Sequence, residues 1–305
     1  MNRRDFVKQG SAFAAGSIIP ISCSGPKKEQ AMTEPVVEKP AKGLTNFGLQ
    51  LYTLRNELPN GKDEVLQKVS EIGFQQLEMY MFEGQHHLGW PVNEFKQKLD
   101  DLGLKVISTH VPTGNGAPDT PGTFINGFDK VIEEANILGQ KYLVCPYLTD
   151  SERTSLDDYK KILEMLNNAG EKCNAAGIQL CYHNHDFEFE EMEGEVPLLM
   201  MLENSDKATL QFELDIYWST RGGFDALELF NKYPGRFPLW HVKDMSKTDP
   251  METTYVGAGS IDFANILKNS GNSGLDIPIV EQEHYPIPVY EGLEKSHEFM
   301  RTVEI

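Results

Sequence analysis

The sequence predicts a single (β/α)8 TIM barrel of the α/β class. From residue 46 onward, short apolar runs rich in β-forming residues alternate eight times with longer segments of helical period. Four of the helical segments end in a glycine that leads directly into the next apolar run: Gly73, Gly103, Gly139 and Gly177. Glycine closes a helix readily in the left-handed conformation, and such short joints are typical of βα units. Eight successive units therefore predict a closed barrel.

The individual elements follow from the local hydrophobic pattern. Strands are predicted over the short apolar runs at residues 46–52, 76–79, 105–109, 141–145, 178–182, 209–214, 238–242 and 277–281. Helices are predicted where apolar residues recur at spacings of three and four, because this spacing places them on one face. These segments cover residues 63–72, 92–102, 124–138, 155–176, 196–202, 224–232, 263–268 and 289–302.

A doubly wound open sheet is the alternative arrangement of alternating strands and helices. That fold usually carries a glycine-rich phosphate loop directly after its first strand, and no such loop follows Tyr52. The pair Gly257 and Gly259 forms a GxG, but it lies late in the chain and no third glycine completes the motif. The barrel is therefore the favoured fold.

Composition and charge narrow the classes of function. The chain has 305 residues, of which 40% are hydrophobic and 24% charged, as in soluble globular proteins. It carries 46 acidic against 28 basic residues, a net charge of −18. Binding to nucleic acid or to an anionic membrane surface needs clustered Lys and Arg. We therefore expect no nucleic-acid partner, and membrane attachment only through a lipid anchor.

The amino terminus resembles a bacterial export signal. Arg3 and Arg4 precede an apolar stretch at residues 11–21, which is too short to span a bilayer. The arginine pair resembles a twin-arginine signal, and the segment ending at Cys23 resembles a lipobox, with Pro20 where an aliphatic residue is usual. Residues 1–23 are thus predicted to be a signal peptide that directs the protein to the periplasm, anchored to a membrane through lipidated Cys23.

The rest of the chain divides into a linker and a domain. Residues 24–43 are rich in Pro, Lys and Glu without apolar periodicity, which predicts a flexible linker. Residues 44–305 contain all eight predicted units and form the predicted barrel domain.

Ionisable side chains collect where the predicted strands end. These positions carry Glu78, His110, His183, His185, Asp215, His241, Lys243 and Glu281. In a barrel the carboxyl ends of the strands form the active-site face. Buried carboxylates and imidazoles are costly unless they are paired or bind a metal. This set therefore predicts one divalent metal ion, either Mn²⁺, Co²⁺, Zn²⁺, Fe²⁺ or Mg²⁺, whereas Ca²⁺ prefers oxygen ligands alone.

Several motifs match one known family. Residues 213–244 contain Asp215, a following glycine pair and the sequence His241-Val242-Lys243-Asp244. Residues 256–263 form a Gly-x-Gly turn before the seventh helix, and Glu281 ends the eighth strand. From about residue 44 to its end, the chain resembles the sugar phosphate isomerase/epimerase family of xylose isomerase-like barrels.

The resemblance implies one divalent metal held by four side chains, three of which are Asp215, His241 and Glu281. Many epimerases of the family place a glutamate at the end of the fifth strand, where this sequence has His183, with His185 as the alternative ligand. In the epimerases two metal-bound glutamates exchange a proton across the substrate. Only Glu281 keeps that role here, so a related proton-abstraction reaction becomes more plausible than two-glutamate epimerisation.

The reaction implied by the resemblance starts by removing a proton next to the carbonyl of a keto-sugar or polyol, which gives a metal-stabilised enediolate. Reprotonation then gives epimerisation or isomerisation, and loss of a β-substituent gives dehydration or elimination. The candidates for proton transfer or charge stabilisation are Glu281, His110, His185 and Lys243. Glu78 is expected to orient a ligand or a substrate hydroxyl, and Tyr52, Trp90 and Trp218 are expected to form an apolar surface for the sugar.

Two other functions remain open at this point. A lipid-anchored, non-catalytic sugar-binding barrel would explain the missing glutamate of the fifth strand. An endonuclease IV-like DNA-repair enzyme shares the barrel, but the net charge of −18 and the export signal argue against it. The favoured partner is therefore a small-molecule sugar or keto-sugar, and a homo-oligomer is also considered.

Overall fold

Eight parallel strands close into a barrel in this computed structural model, which describes residues 43–81 and 83–304. The strands are β1 Gly48–Gln50, β2 Gln76–Met79, β3 Lys105–His110, β4 Tyr142–Cys145, β5 Gln179–His183, β6 Leu210–Asp215, β7 Leu239–Val242, β8 Asp244–Met245, β9 Thr253–Thr254 and β10 Ile277–Val280. The closed order is β1-β10-β7-β6-β5-β4-β3-β2, and the pairing of β1 with β10 completes the ring. Strands β8 and β9 form a separate antiparallel pair.

The helices follow the barrel strands along the chain. They are α1 Lys62–Ile72, α2 Val92–Leu102, α3 Phe128–Leu138, α4 Leu156–Ala175, α5 Pro197–Asn204, α6 Ile216–Arg221, α7 Ala226–Lys232, α8 Phe263–Lys268 and α9 Val289–Thr302. Each buries an apolar stripe, as α1 does with Val65, Leu66 and Val69. Within the described residues, no helix combines the length and the apolarity that a membrane crossing needs.

The predicted barrel is confirmed, with local differences that include the unpredicted antiparallel pair of β8 and β9. The first strand is only three residues long, because the Gln50 side chain accepts a hydrogen bond from the Tyr52 backbone and starts a 3-10 turn. The third helix begins at Phe128 rather than 124, since Gly127 has a φ of +79° and interrupts the helical path. The helix predicted over 224–232 is observed as α7, preceded by the unpredicted α6. The predicted signal peptide and residues 24–42 of the predicted linker lie outside the described residues.

The barrel interior is apolar at one end and ionisable at the other. Its apolar part consists of Ile107, Tyr142, Val144, Cys181, Leu239, Ile277 and Ile279. Side chains alternate in direction along a strand, so the next inward positions of β7 after Leu239 are His241 and Lys243. The same alternation places Ile279 in β10, and Glu281 two residues later, on the inward face. Strand phase thus brings the ionisable residues together at the carboxyl ends.

A β-bulge changes the phase of β3. The register between β2 and β3 shifts, since Leu77 pairs with Val106 but Glu78 pairs with Ser108. The additional residue, Ile107, packs among the inner apolar side chains. Ser108 also faces inward and donates a hydrogen bond of 2.5 Å to Glu78. The bulge therefore adds one inward position, so that Ile107, Ser108 and His110 all face the barrel interior.

Candidate functional site

A pocket of about 440 Å³ opens at the carboxyl ends of the strands. Its lining includes the aromatic side chains Tyr52, Tyr80, Tyr147 and Trp218 and the ionisable side chains His110, His183, His185, His241, Lys243, Glu281 and Glu283. The pocket therefore combines apolar walls with a strongly polar floor, as sites for small polar molecules do.

Trp90, predicted as part of the apolar surface, does not line this pocket. Its ring stacks on Phe95, with centroids 6.0 Å apart, and the Lys98 ammonium lies 4.7 Å from its centroid. The sequence identified an aromatic residue near a strand end, but the loop after β2 directs it towards α2. Tyr52 and Trp218 do lie at the pocket, as the sequence analysis expected.

Lys243 is the cationic centre of the pocket floor. Its Nζ lies 3.0 Å from Asp215, 2.6 Å from Glu281 and 2.6 Å from Glu283, and the side chain is only 1% exposed. Burial alone would lower the pKa of Lys243, but the three carboxylates raise it well above its ordinary value. Burial alone would raise the pKa of Glu281, but Lys243 and His241 hold it below its usual range. The floor thus contains an ammonium that three carboxylates hold in place.

Three of the four predicted metal ligands come together beside this lysine. The ligand atoms of Asp215, His241 and Glu281 all lie within 4.8 Å of one another. His241 Nδ1 is 2.9 Å from Glu281 Oε2 and 3.7 Å from Asp215 Oδ2. The predicted fourth ligand, His183, places Nε2 3.9 Å from Asp215 Oδ2. The second oxygen of Asp215 caps α6 by accepting a hydrogen bond from Trp218, which fixes the carboxylate.

Glu78 lies beneath the floor and holds two of the imidazoles. Its Oε1 is 2.7 Å from His241 Nε2 and 3.0 Å from His110 Nε2, and Gln50 donates to the same oxygen at 2.8 Å. Burial would lower the pKa of His110, but the carboxylates of Glu78 and Glu213 raise it to about 9. The Glu78 side chain is fully buried beneath the pocket, and its role in orienting a ligand or a substrate hydroxyl stays a prediction.

Glu213 is a fully buried ionisable residue to which the sequence analysis gave no role. It lies two residues before Asp215 in β6, and the period of two places both side chains inside the barrel. Its Oε2 lies within 3.3 Å of His110, His183 and His241. Burial and the nearby Glu78 carboxylate raise the pKa of Glu213 to about 7. Strand phase relative to Asp215 was the signal that could have revealed it.

His185 belongs to the pocket wall rather than to the ligand group. Its ring stacks on Phe187 with centroids 5.4 Å apart and lies 5.4 Å from the Trp218 ring. Its backbone N–H donates to Glu188 at 2.7 Å. Burial, and then the nearby Lys243 ammonium, lower the pKa of His185 to about 3. Of the two histidines left open as ligands, His183 is thus the one placed against Asp215.

The residues of the floor fit a divalent metal. His183 Nδ1 and Glu213 Oε1 are buried and form no hydrogen bond of acceptable geometry within the described residues, whereas Asp215 Oδ2 contacts the Lys243 ammonium at 3.0 Å. Buried polar atoms without a partner are costly, and a cation would satisfy them. A mixture of imidazole nitrogens and carboxylate oxygens suits Zn²⁺, Mn²⁺, Co²⁺ and Fe²⁺.

Comparison with known proteins agrees with this architecture. The family model of the xylose isomerase-like TIM barrel matches residues 66–303. The chain belongs to this family.

Individual relatives within the xylose isomerase-like family are distant. An inosose dehydratase from Lacticaseibacillus casei is 28% identical over 174 residues, which cover 51% of this chain and 56% of that protein. The match thus spans little more than half of that relative's length. The crystal structure of a sugar phosphate isomerase/epimerase from Parabacteroides distasonis is 29% identical, with a TM-score of 0.69, over 84% of this chain and 93% of that chain. A structure of the IOLI protein with a bound zinc atom is 14% identical with a TM-score of 0.65, over 85% of this chain and 98% of that chain, and shows likeness of fold alone.

Proposed function

We propose that this protein is a divalent-metal-dependent enzyme that removes a proton next to the carbonyl of a keto-sugar or a related cyclic polyol. The observation that carries the proposal is the meeting of Asp215, His241 and Glu281 with the Lys243 ammonium at the floor of an aromatic-walled pocket. Aromatic walls suit the C–H faces of a sugar, and the polar floor suits its carbonyl and hydroxyl groups.

The floor residues have separate roles in this proposal. Asp215, His241 and Glu281 hold the cation, with His183 beside Asp215 as the fourth ligand. A divalent cation at this position supplies Lewis-acid polarisation of a carbonyl. The Lys243 ammonium stabilises the negative charge that develops on the substrate oxygen as the neighbouring C–H bond breaks. Glu283 fixes this lysine from the rim by accepting a hydrogen bond of 2.6 Å.

We assign the removal of the proton to His185. The imidazole lines the pocket and, in the part of the chain that the structure describes, forms no ion pair with the carboxylates below it. Glu281 lines the same pocket, but its Oε2 already accepts hydrogen bonds from His241 and contacts Lys243. His110 is held between Glu78 and Glu213. His185 is therefore the candidate whose ring is positioned by packing rather than by charge.

We propose dehydration as the outcome of the reaction. A proton leaves the carbon next to the carbonyl, hydroxide leaves the following carbon, and a carbon–carbon double bond forms with loss of water. The histidine at the end of β5 supports this outcome, because it removes one of the two glutamates on which epimerisation in the family depends. The relative from Lacticaseibacillus casei, which is an inosose dehydratase, supports it independently.

Isotope exchange tests the proposal directly. Metal-loaded full-length protein is incubated with inososes and keto-sugars in D2O and followed by NMR and by the ultraviolet absorption of an enone. We expect deuterium at the carbon next to the carbonyl and a slower loss of water, both at least about 100-fold weaker in His185→Ala. Binding of a keto-sugar without any exchange would contradict the proposal and would favour a non-catalytic sugar-binding barrel.

We also propose that the protein is exported and lipid-anchored, on the basis of residues 1–23 alone. Labelling of cells with a radioactive fatty acid should mark the wild-type protein and not Cys23→Ala. Incorporation of equal label into both proteins would contradict the anchor.

A further inference from the structure

Three imidazoles surround one carboxylate oxygen below the pocket. Glu213 Oε2 lies 3.3 Å from His110 Nε2, 3.2 Å from His183 Nδ1 and 3.3 Å from His241 Nε2. The ligand atoms of these four residues all lie within 4.8 Å of one another. They come from four different strands, β3, β5, β6 and β7, so barrel closure alone brings them together.

The spacing matches a tetrahedral coordination shell. Zinc binds imidazole nitrogen and carboxylate oxygen at about 2.0–2.2 Å, which separates neighbouring ligands of a tetrahedron by roughly 3.3–3.5 Å. The three nitrogen–oxygen distances around Glu213, at 3.2–3.3 Å, lie at or just below the lower end of this range. Three histidines with one carboxylate are also a ligand set that suits zinc and cobalt.

Hydrogen bonding accounts for only part of the group, because His110 Nε2 has Glu213 Oε2 as a partner at 3.3 Å and His241 Nε2 has Glu78 Oε1 at 2.7 Å. His183 Nδ1 and Glu213 Oε1 are buried without a hydrogen-bond partner in the described part of the chain. The side chain of Glu213 is 0% exposed and that of His183 is 3% exposed. Buried polar atoms without a hydrogen-bond partner are costly, and a cation bound by the four residues would satisfy His183 Nδ1, which lies 3.2 Å from Glu213 Oε2.

The charge around Glu213 also differs from that around Asp215 and Glu281. Lys243 already neutralises those two carboxylates at 3.0 and 2.6 Å. Within the described residues, the ion-pair contacts of Glu213 are all to imidazoles. Glu78 adds a second negative charge, 2.7 Å from His241 Nε2. With neutral imidazoles, Glu78 and Glu213 together balance one divalent cation.

We propose that His110, His183, His241 and Glu213 form a second cation site, which takes a tetrahedral divalent metal such as Zn²⁺ or Co²⁺. This site does not depend on the sugar reaction proposed above. His241 Nδ1 faces Asp215 and Glu281, and His241 Nε2 faces Glu213. His183 likewise places Nε2 towards Asp215 and Nδ1 towards Glu213. If both sites were filled, each of these two rings would bridge them as an imidazolate and release one proton to solvent. The three histidines line the pocket, which gives the ion a path of entry.

Metal analysis of matched variants tests the second site. Full-length wild type, Glu213→Gln, His110→Gln and Asp215→Asn are loaded with Co²⁺, desalted and measured by elemental analysis and visible absorption. We expect Glu213→Gln and His110→Gln each to lose about one equivalent of Co²⁺, together with the intense absorption of four-coordinate cobalt. Asp215→Asn should keep the equivalent of Co²⁺ bound by the histidine group and its four-coordinate absorption, because Asp215 contributes no ligand there, and should lose only cobalt bound with Glu281.

The opposite pattern overturns the proposal. If Glu213→Gln and His110→Gln retain the cobalt content and the spectrum of the wild type, the histidine group does not bind metal. Far-UV circular dichroism and thermal unfolding show which variants are folded, and either of the two substitutions suffices for the decision. Loss of isotope exchange in Asp215→Asn with retention of four-coordinate cobalt would separate the reaction site from the second site.

Discussion

Lys243 shows how a single buried charge organises the pocket floor. The ammonium lies between Asp215 and Glu281, and both residues are buried. Two buried carboxylates that face each other without a cation repel, and each loses its hydration. The lysine and a bound metal ion can therefore each neutralise these carboxylates. Their contributions to the free energy of unfolding depend on one another for this reason.

We predict that Lys243→Met lowers the free energy of unfolding of the metal-free protein by about 3–5 kcal/mol. Added Zn²⁺ should restore part of this loss, because the cation replaces the missing positive charge. Urea denaturation with EDTA and with Zn²⁺ measures both effects. Lys295→Met is the matched control, since Lys295 is 44% exposed and makes a surface ion pair with Glu291 and a cation–π contact of 5.9 Å with the Tyr255 ring. An equal, small effect of both substitutions would contradict the prediction.

Two tryptophans give a second test at the residue scale. Trp218 lines the pocket, whereas Trp90 packs on Phe95 outside it. Trp218→Ala should weaken binding of a keto-sugar by about tenfold, or roughly 1.4 kcal/mol, through loss of apolar contact. Trp90→Ala should leave the dissociation constant unchanged. Titration calorimetry compares the two, and an equal loss in both variants would refute the placement of the pocket wall.

The loop between β2 and α2 contains two buried histidines, His86 and His87. His86 Nε2 lies 2.8 Å from the Gly122 carbonyl, and His87 Nδ1 lies 3.9 Å from Glu134 on α3. Burial lowers the pKa of both histidines below 6.5, against the opposing effects of the Gly122 carbonyl at His86 and of Glu134 at both. Burial thus keeps both rings neutral in the folded protein below the pH at which they protonate in the unfolded chain.

This loop should contribute to acid sensitivity. Below pH 6.5 the unfolded chain binds a proton at His86 while the folded protein does not, so the free energy of unfolding falls as the pH falls. The slope per histidine is at most about 1.4 kcal/mol per pH unit. We expect His86→Gln to show a smaller decrease than the wild type in urea denaturation between pH 7 and 5. If the free energy of unfolding decreases equally in His86→Gln and the wild type, His86 binds protons to the same extent in the folded and the unfolded protein.

Strand and helix boundaries could be predicted to the extent that they depend on neighbours in sequence. The predicted β10, α1 and α9 agree closely with the structure because apolar period and capping signals are local. The bulge at Ile107 could not be predicted, since it exists only relative to the register of β2. For the same reason the sequence indicated His110 as a strand-end residue without revealing that Ser108 and Glu78 lie next to it.

At the scale of the whole molecule, metal binding should stabilise the fold. The candidate ligands lie on β3, β5, β6 and β7 and at the end of β10, so a bound ion links strands that are distant in sequence. A ligand at 100 times its dissociation constant adds about 2.7 kcal/mol to the free energy of unfolding. We expect EDTA to lower the melting temperature of the wild type by several degrees and to have little effect on Asp215→Asn combined with Glu213→Gln. Equal melting temperatures of the wild type with and without Zn²⁺ would exclude a bound metal.

The sequence by itself determined the order of strands and helices, the barrel class and the strand-end positions of Asp215, His241 and Glu281. These features depend on the period of two in strands and the recurrence of apolar residues in helices, both of which are visible over a few neighbouring positions. Only the tertiary structure showed that Glu213 faces three histidines, that Lys243 neutralises two carboxylates and that Trp90 points away. The reason is that barrel closure and strand register set distances between residues more than 100 positions apart in the sequence, as between His110 and Glu213.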